Sequence, residues 1–159
     1  MDYKKIECVS YGLGNKFIKP KFKKISNRHM FNKPNGGLWS SPVNCEYSWR
    51  DWSNENDWGD LSTSFEFIFN GKVLIIDCLR DLNNLPIQEL ECHQRRSQRD
   101  HGAEYPRNLD FKKINKSYDG IWLTSKGERE TRFEGLVDLY GWDCETLLVM
   151  NQKVIRPTL

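Results

Sequence analysis

Four short stretches of the chain carry residue types suited to chemistry. Ser10-Tyr11-Gly12 closes an alternating apolar run. Gly36-Gly37-Leu38-Trp39-Ser40-Ser41-Pro42 sets two glycines before a large aromatic. Tyr47 and Trp49 follow, and Glu145, after Trp142-Asp143-Cys144, opens the apolar run Thr146-Leu147-Leu148-Val149-Met150. A carboxylate at the first residue of a strand sits at a sheet edge, where it can meet a ligand while Leu147 and Val149 stay inside. Glycine lets a backbone come close to another group, and aromatic faces stack on flat or cationic ligands. Each feature also has a plainer reading. Trp39 can plug a core, and Glu145 can be a solvated strand-end acid. Trp49 and Trp52, three apart on a helix, share only part of a face, so one of them belongs to the core. Asp143, Glu134 and Asp119 are the alternative carboxylates.

Common catalytic templates are absent. There is no GxxxxGK[ST] and no HExxH, and Gly12-Leu13-Gly14 lacks the third glycine of a dinucleotide fingerprint. His29, His93 and His101 stand in polar segments without spaced partners, so exposed histidines rather than a metal site are expected.

The order of the four stretches resembles the ADP-ribosyltransferases of the His-Tyr-Glu type, the branch of diphtheria toxin and poly-ADP-ribose polymerase. The resemblance spans nearly the whole chain through short motifs. It implies a split antiparallel β-sandwich with short helices, a single domain over residues 1–159, and NAD as the cofactor. Tyr11 or Ser10 stands where the family has its ribose-binding His, and Gly12 matches the glycine whose backbone holds the nicotinamide amide. Gly37 and Trp39 match the glycine-aromatic strand, Ser41 the serine, and Tyr47 or Trp49 the second stacking aromatic. Glu145 matches the catalytic glutamate. The His itself is not retained. The implied activity is mono-ADP-ribosyl transfer from NAD to a macromolecule, protein slightly ahead of nucleic acid, as in a toxin or a phage-encoded modifier. The alternative is an inactive relative that binds a protein or nucleic acid through the basic 16–33 face. Breaking the nicotinamide–ribose bond builds an oxocarbenium-like centre, which a nearby carboxylate stabilises. Ser62-Thr63-Ser64 with Glu128-Arg129-Glu130 mimics the Arg-Ser-Glu branch, but the latter lies in a charged segment expected to be a loop.

The whole chain sets the frame for these residues. Its 159 residues suffice for one domain with a real core. A net charge of +2 argues neither for nor against nucleic acid globally, but no acid occurs between Asn15 and Cys45 while seven Lys or Arg do. Gln94 to Gly102 is a second polar run, with Arg95, Arg96 and Arg99. Five cysteines, an odd number without a CxxC pair or a secretory leader, point to reduced thiols in a cytoplasm, that of the producing cell or of a host. No apolar run reaches membrane length.

The elements that must position the site follow from periodicity. Residues 5–11 read as a strand with Ile6, Cys8 and Ser10 on one face, ended by the Gly12–Asn15 turn. Pro20 limits 17–25 to a helical turn. Residues 37–40 are expected as a strand with Trp39 and Leu38 on opposite faces. Ser41-Pro42 then starts a helix over 42–52. Phe65, Phe67 and Phe69 alternate in a strand over 64–70, which Asn70-Gly71 turns into a second strand over 72–77. A helical turn at Leu79 and Leu82, a short helix over 109–115, a strand over 118–124, a final strand over 145–151 and a local pairing at Val154-Ile155 complete an α+β list with mostly antiparallel strands.

Overall fold

In a computed structural model, described over residues 3–28, 32–89, 107–135 and 137–158, the chain is a mixed α+β fold made mostly of sheet. The strands are β1 (Tyr3–Tyr11), β2 (Leu38–Pro42), β3 (Ser64–Ile76), β4 (Gly120–Leu123), β5 (Thr146–Val149) and β6 (Ile155–Pro157). The helices are α1 (Trp49–Asn56), α2 (Phe111–Ile114) and α3 (Ser125–Thr131), with single 3-10 turns at Lys19–Lys21, Leu79–Leu82 and Gln152–Val154. The order β1-β2-β5-β4-β3-β6, together with a β1–β3 pairing, closes the first five strands of that order into a barrel-like circuit. All pairings are antiparallel except β3 with β4.

β3 makes the closure possible because it is long. Its residues 64–72 pair with β1 and its residues 73–76 with β4. The expected Asn70-Gly71 hairpin is therefore corrected to one continuous strand, and Gly71 does not take a positive φ. The glycine serves a close approach instead. A Cβ there would lie 2.7 Å from Val154 Cγ1 and 2.9 Å from Asp119 Oδ2, the carboxylate oxygen that accepts from Lys72 N at 2.9 Å. β3 carries both strands of the expected hairpin on one line, and β1 runs alongside its Asn70 and Gly71.

Strand alternation sorts the core into two clusters. Cys8, Leu38, Phe65, Phe67, Phe69, Val73, Leu147 and Val149 fill the barrel. The opposite faces of β3, β4 and β5 (Leu74, Ile76, Ile121, Leu123, Leu148) are covered by Leu109, Phe111, Ile114 and Trp142. Leu38 and Trp39 go to opposite clusters, as alternation requires.

Two helix boundaries differ from the sequence expectation. Ser41 and Pro42 end β2 rather than starting a helix, because β2 remains paired with β1 through Val9↔Ser41 and Cys8↔Pro42. The helix begins at Trp49, capped by Ser48 and Asp51 in a reciprocal capping box. Residues 125–131 form α3 rather than a loop, with Thr124 Oγ1 accepting from Gly127 N at 3.0 Å. β6 pairs with Phe67–Phe69 of β3, a long-range contact rather than a local one.

Candidate functional site

A cavity of about 410 Å³ opens where the end of β1, the middle of β2 and the segment entering β5 meet. That volume falls in the range of small-molecule sites. Register decides which side chains reach it. Trp39 pairs with Leu148 and Val9 with Ser41, so one face carries Val9, Tyr11, Trp39, Ser41 and Thr146, and all five line the cavity. Ser41 Oγ then places the next wall. It donates to Glu145 O at 3.0 Å and accepts from Trp49 N at 2.9 Å, tying the start of α1 to the entry of β5. Trp49 thereby faces the cavity and stacks on Trp52 behind it, with ring centroids 5.0 Å apart.

The inner wall is Trp142, whose indole Nε1 donates to Asn32 O at 2.5 Å. Its ring meets Trp39 edge to face at 4.9 Å and stacks on Phe111 at 6.4 Å. Lys33 reaches over from the acid-free segment. Its ammonium lies 5.0 Å from the centre of the Trp39 ring and donates to Gly141 O at 3.3 Å. Three indoles and an ammonium thus share one cavity with two carboxylates, Asp60 and Asp143. Asp60 Oδ1 accepts from Ser62 Oγ at 2.5 Å and Ser62 N at 2.8 Å, and these bonds hold its carboxyl below the usual range. Asp143 Oδ1 accepts from Arg132 at 3.4 Å.

Glu145 lies on the other face. It shares the parity of Leu147 and Val149, which point into the barrel, and is 6% exposed. Its carboxylate accepts from Trp122 Nε1 at 2.9 Å, Ser125 N at 3.1 Å and Ser125 Oγ at 2.5 Å. It does not line the cavity.

Of the residues singled out in the sequence, Tyr11, Gly12, Trp39, Ser41 and Trp49 come together around the cavity. Four do not. Ser10 is buried, and its hydroxyl donates to Trp39 O at 2.9 Å, fixing the strand that carries the indole. Gly37 takes φ +71°, and a Cβ on it would sit 2.7 Å from Val149 O, so it is needed for the packing of β2 on β5. Tyr47 turns its hydroxyl to Glu55. Glu145 is the fourth. Among the lining residues that sequence reading did not place in the site are Trp142, Lys33, Asp60 and Thr146. Trp142 carried a signal, a tryptophan three positions before Glu145. Asp60 lies in a polar segment without a pattern, and Lys33 entered the sequence reading only through the basic 16–33 face.

The local environment also moves protons. Burial pushes the Cys144 thiol, in the cavity wall, up to about 11. Burial and then the Glu145 carboxylate push Cys45 up to about 12. Burial likewise raises the Tyr11 phenol, against the pull of Arg50. Among the described residues, no group of three or more His, Cys, Asp or Glu is arranged to hold a metal. His29, His93 and His101, and Arg95, Arg96 and Arg99, lie outside the described residues. Glu128 and Glu130, the mimics of the other branch, are in α3 and pair with Arg132 and Lys126. No helix among the described residues is long and apolar enough to cross a membrane.

No protein-family model, no curated protein and no solved structure matches the chain.

Proposed function

We propose that the cavity binds the nicotinamide end of NAD and that the protein transfers ADP-ribose to a macromolecular acceptor, as an ADP-ribosyltransferase-like domain. What carries this reading is the convergence of Tyr11-Gly12, Trp39–Ser41 and Cys144–Thr146, far apart in the chain, on one indole-walled cavity. The strands form one barrel-like circuit with β6 added at its side; on this reading the two halves of the family's split sandwich would be the β1–β3–β6 and β2–β5–β4 parts of that circuit. The ligand that suits the walls is flat, with anionic groups. Indoles take a flat ring by stacking. Lys33 now covers Trp39, and a planar cation placed there would move the ammonium towards the phosphates of the same dinucleotide.

The reaction needs a carboxylate beside the ribose. The glycosidic C–N bond breaks with its electron pair leaving on nicotinamide, a carboxylate stabilises the oxocarbenium-like centre, and the acceptor nucleophile adds to that carbon and gives up its proton. The family resemblance gives this role to Glu145. Of the two carboxylates that line the cavity, Asp60 is bonded by the Ser62 amide and hydroxyl, and we assign the role to Asp143.

The second reading is a binding domain without turnover. It is favoured by the sealing of Glu145 between Trp122 and Ser125. Incubation with NAD labelled in the adenylate, alone and with cell lysate, separates the two. The enzyme reading expects nicotinamide release and label transfer by the wild type, a loss of about 100-fold or more in Asp143→Asn in line with removal of a single transition-state contact, and substantial activity in folded Glu145→Gln. Neither nicotinamide release nor label transfer by the wild type, with binding of a protein or nucleic acid retained, supports the binding domain and removes the enzyme.

A further inference from the structure

We propose that the lysine track formed by residues 16–24 and the Gln152–Val154 turn binds a nucleic-acid strand and leads it to the cavity as the acceptor. The binding surface stands on its own observations; its service as an acceptor track rests on the donor-site reading above.

Two acid-free segments meet on this side of the molecule. One runs from Asn15 to Cys45, and the other from Thr146 to the end of the sequence. Lys19 and Pro20 face Gln152 and Lys153 across an open groove of about 340 Å³. Lys16, Lys19, Lys21, Lys23, Lys24 and Lys153 are all exposed. The ion pairs of the described residues lie elsewhere, on Lys113, Lys126, Arg129 and Arg132, and none engages these six. Asp110, which Asn27 contacts, is already paired with Lys113 at 3.8 Å.

The track is fastened to the cavity by backbone bonds. Gly37 N donates to Lys23 O at 2.9 Å, and Ser26 and Asn35 exchange bonds of 3.1 and 3.0 Å. The segment that carries the lysines therefore lies beside the one that brings Lys33 and Trp39 to the cavity. A row of lysine point charges suits a repeating phosphate backbone. A protein partner would call for aromatic or arginine anchors in a closed pocket, and the groove between Lys19 and Lys153 has neither.

The test is fluorescence anisotropy of the full chain with a labelled single-stranded 20-mer across a salt series, with polyglutamate as competitor. Four or five phosphate contacts predict a log–log salt slope of about −3. In Lys19→Glu/Lys21→Glu/Lys23→Glu, affinity is expected to fall at least tenfold and the slope to flatten by about 2. These side chains are exposed, and an unchanged circular dichroism spectrum confirms the fold. A salt-insensitive interaction, an unaffected triple variant, or displacement by polyglutamate as effective as by unlabelled strand would each overturn the proposal. NAD cleavage without strand binding also overturns it and leaves the cavity reading intact. Strand binding without NAD cleavage keeps the surface and removes its acceptor role.

Discussion

Asp143 and Glu145 stand two residues apart at the entry to β5, yet the sheet separates them. Asp143 lines an open cavity beside Trp142 and accepts from Arg132 at 3.4 Å. Glu145 is enclosed, with one indole N–H, one amide N–H and one hydroxyl converging on its two oxygens. Such a set of short, oriented donors is what a buried carboxylate requires to remain in a protein interior. The carboxylate also does not line the cavity. The contrast teaches that position in the chain, a glutamate at the head of a strand, does not by itself choose between a chemical and a structural acid. The enclosure by Trp122 and Ser125 does.

The sharpest test of this contrast is stability. Glu145→Ala strips the acceptor from two buried donors on Ser125 and a half-buried one on Trp122, and the expected cost is about 3 kcal/mol, the sum of a charged hydrogen-bond set and the unsatisfied groups left behind. Asp143→Ala removes a partly exposed pairing, and its cost should stay below about 1 kcal/mol. Urea denaturation of the two variants against wild type measures both. Equal losses would break the distinction between a structural and an open carboxylate.

Smaller in size is the effect of the donor side. Ser125→Ala deletes the 2.5 Å hydroxyl bond to Glu145 while leaving the Ser125 amide and the Trp122 indole in place. One hydrogen bond to a charged group is worth about 1.5–3 kcal/mol, and the retained partners place the loss at the lower end, about 1.5 kcal/mol. The double variant with Glu145→Ala should add almost nothing to Glu145→Ala alone, since the hydroxyl has then lost its acceptor. A fully additive double variant would mean the two side chains are not coupled.

The strands of the two faces were largely legible in the sequence, because alternation writes them directly. Phe65, Phe67 and Phe69 announce the barrel interior, and the Leu38–Trp39 pair announces opposite faces. Closure was not legible. It depends on β3 running through Asn70-Gly71, and a local turn signal yields there to the long-range pairing with β1 and the approach of Val154 and Asp119. Helix α3 was hidden by its charge, although Lys126–Glu130 and Glu128–Arg132 are spaced as helical ion pairs. For the site, the three stretches that meet at the cavity were visible as motifs. Glu145, expected at a sheet edge within reach of a ligand, is instead buried on the face of Leu147 and Val149. The side chains that complete the cavity, Lys33 and Asp60, come from polar segments whose path no periodicity describes.

The thiols extend the comparison to pH. Burial pushes Cys8 up to about 12 in the barrel, Cys144 up to about 11 at the cavity wall, and Cys45 up to about 12. An unfolded thiol ionises near about 8.5. The folded values are raised, so the stability these groups contribute is fully present below about pH 8.5 and is lost as pH rises towards 11–12. Urea midpoints should therefore be flat in this respect up to about pH 8.5 and decline above it. In Cys8→Ala, the decline should be shallower at the same reference pH.

Cys45 reports on Glu145 most directly, and with the smallest effect. After burial, the Glu145 carboxylate is the next cause of its raised value. Glu145→Gln removes that negative charge, so the thiolate becomes easier to form and the thiolate fraction at pH 9 rises. Thiolate is the reactive form. Iodoacetamide labelling of Cys45, followed by peptide mapping to separate it from the other cysteines, should therefore run severalfold faster in the variant, with Cys78 unchanged as the internal reference. A Cys45 rate that does not move would show that the Glu145 side chain is not what holds the thiol up.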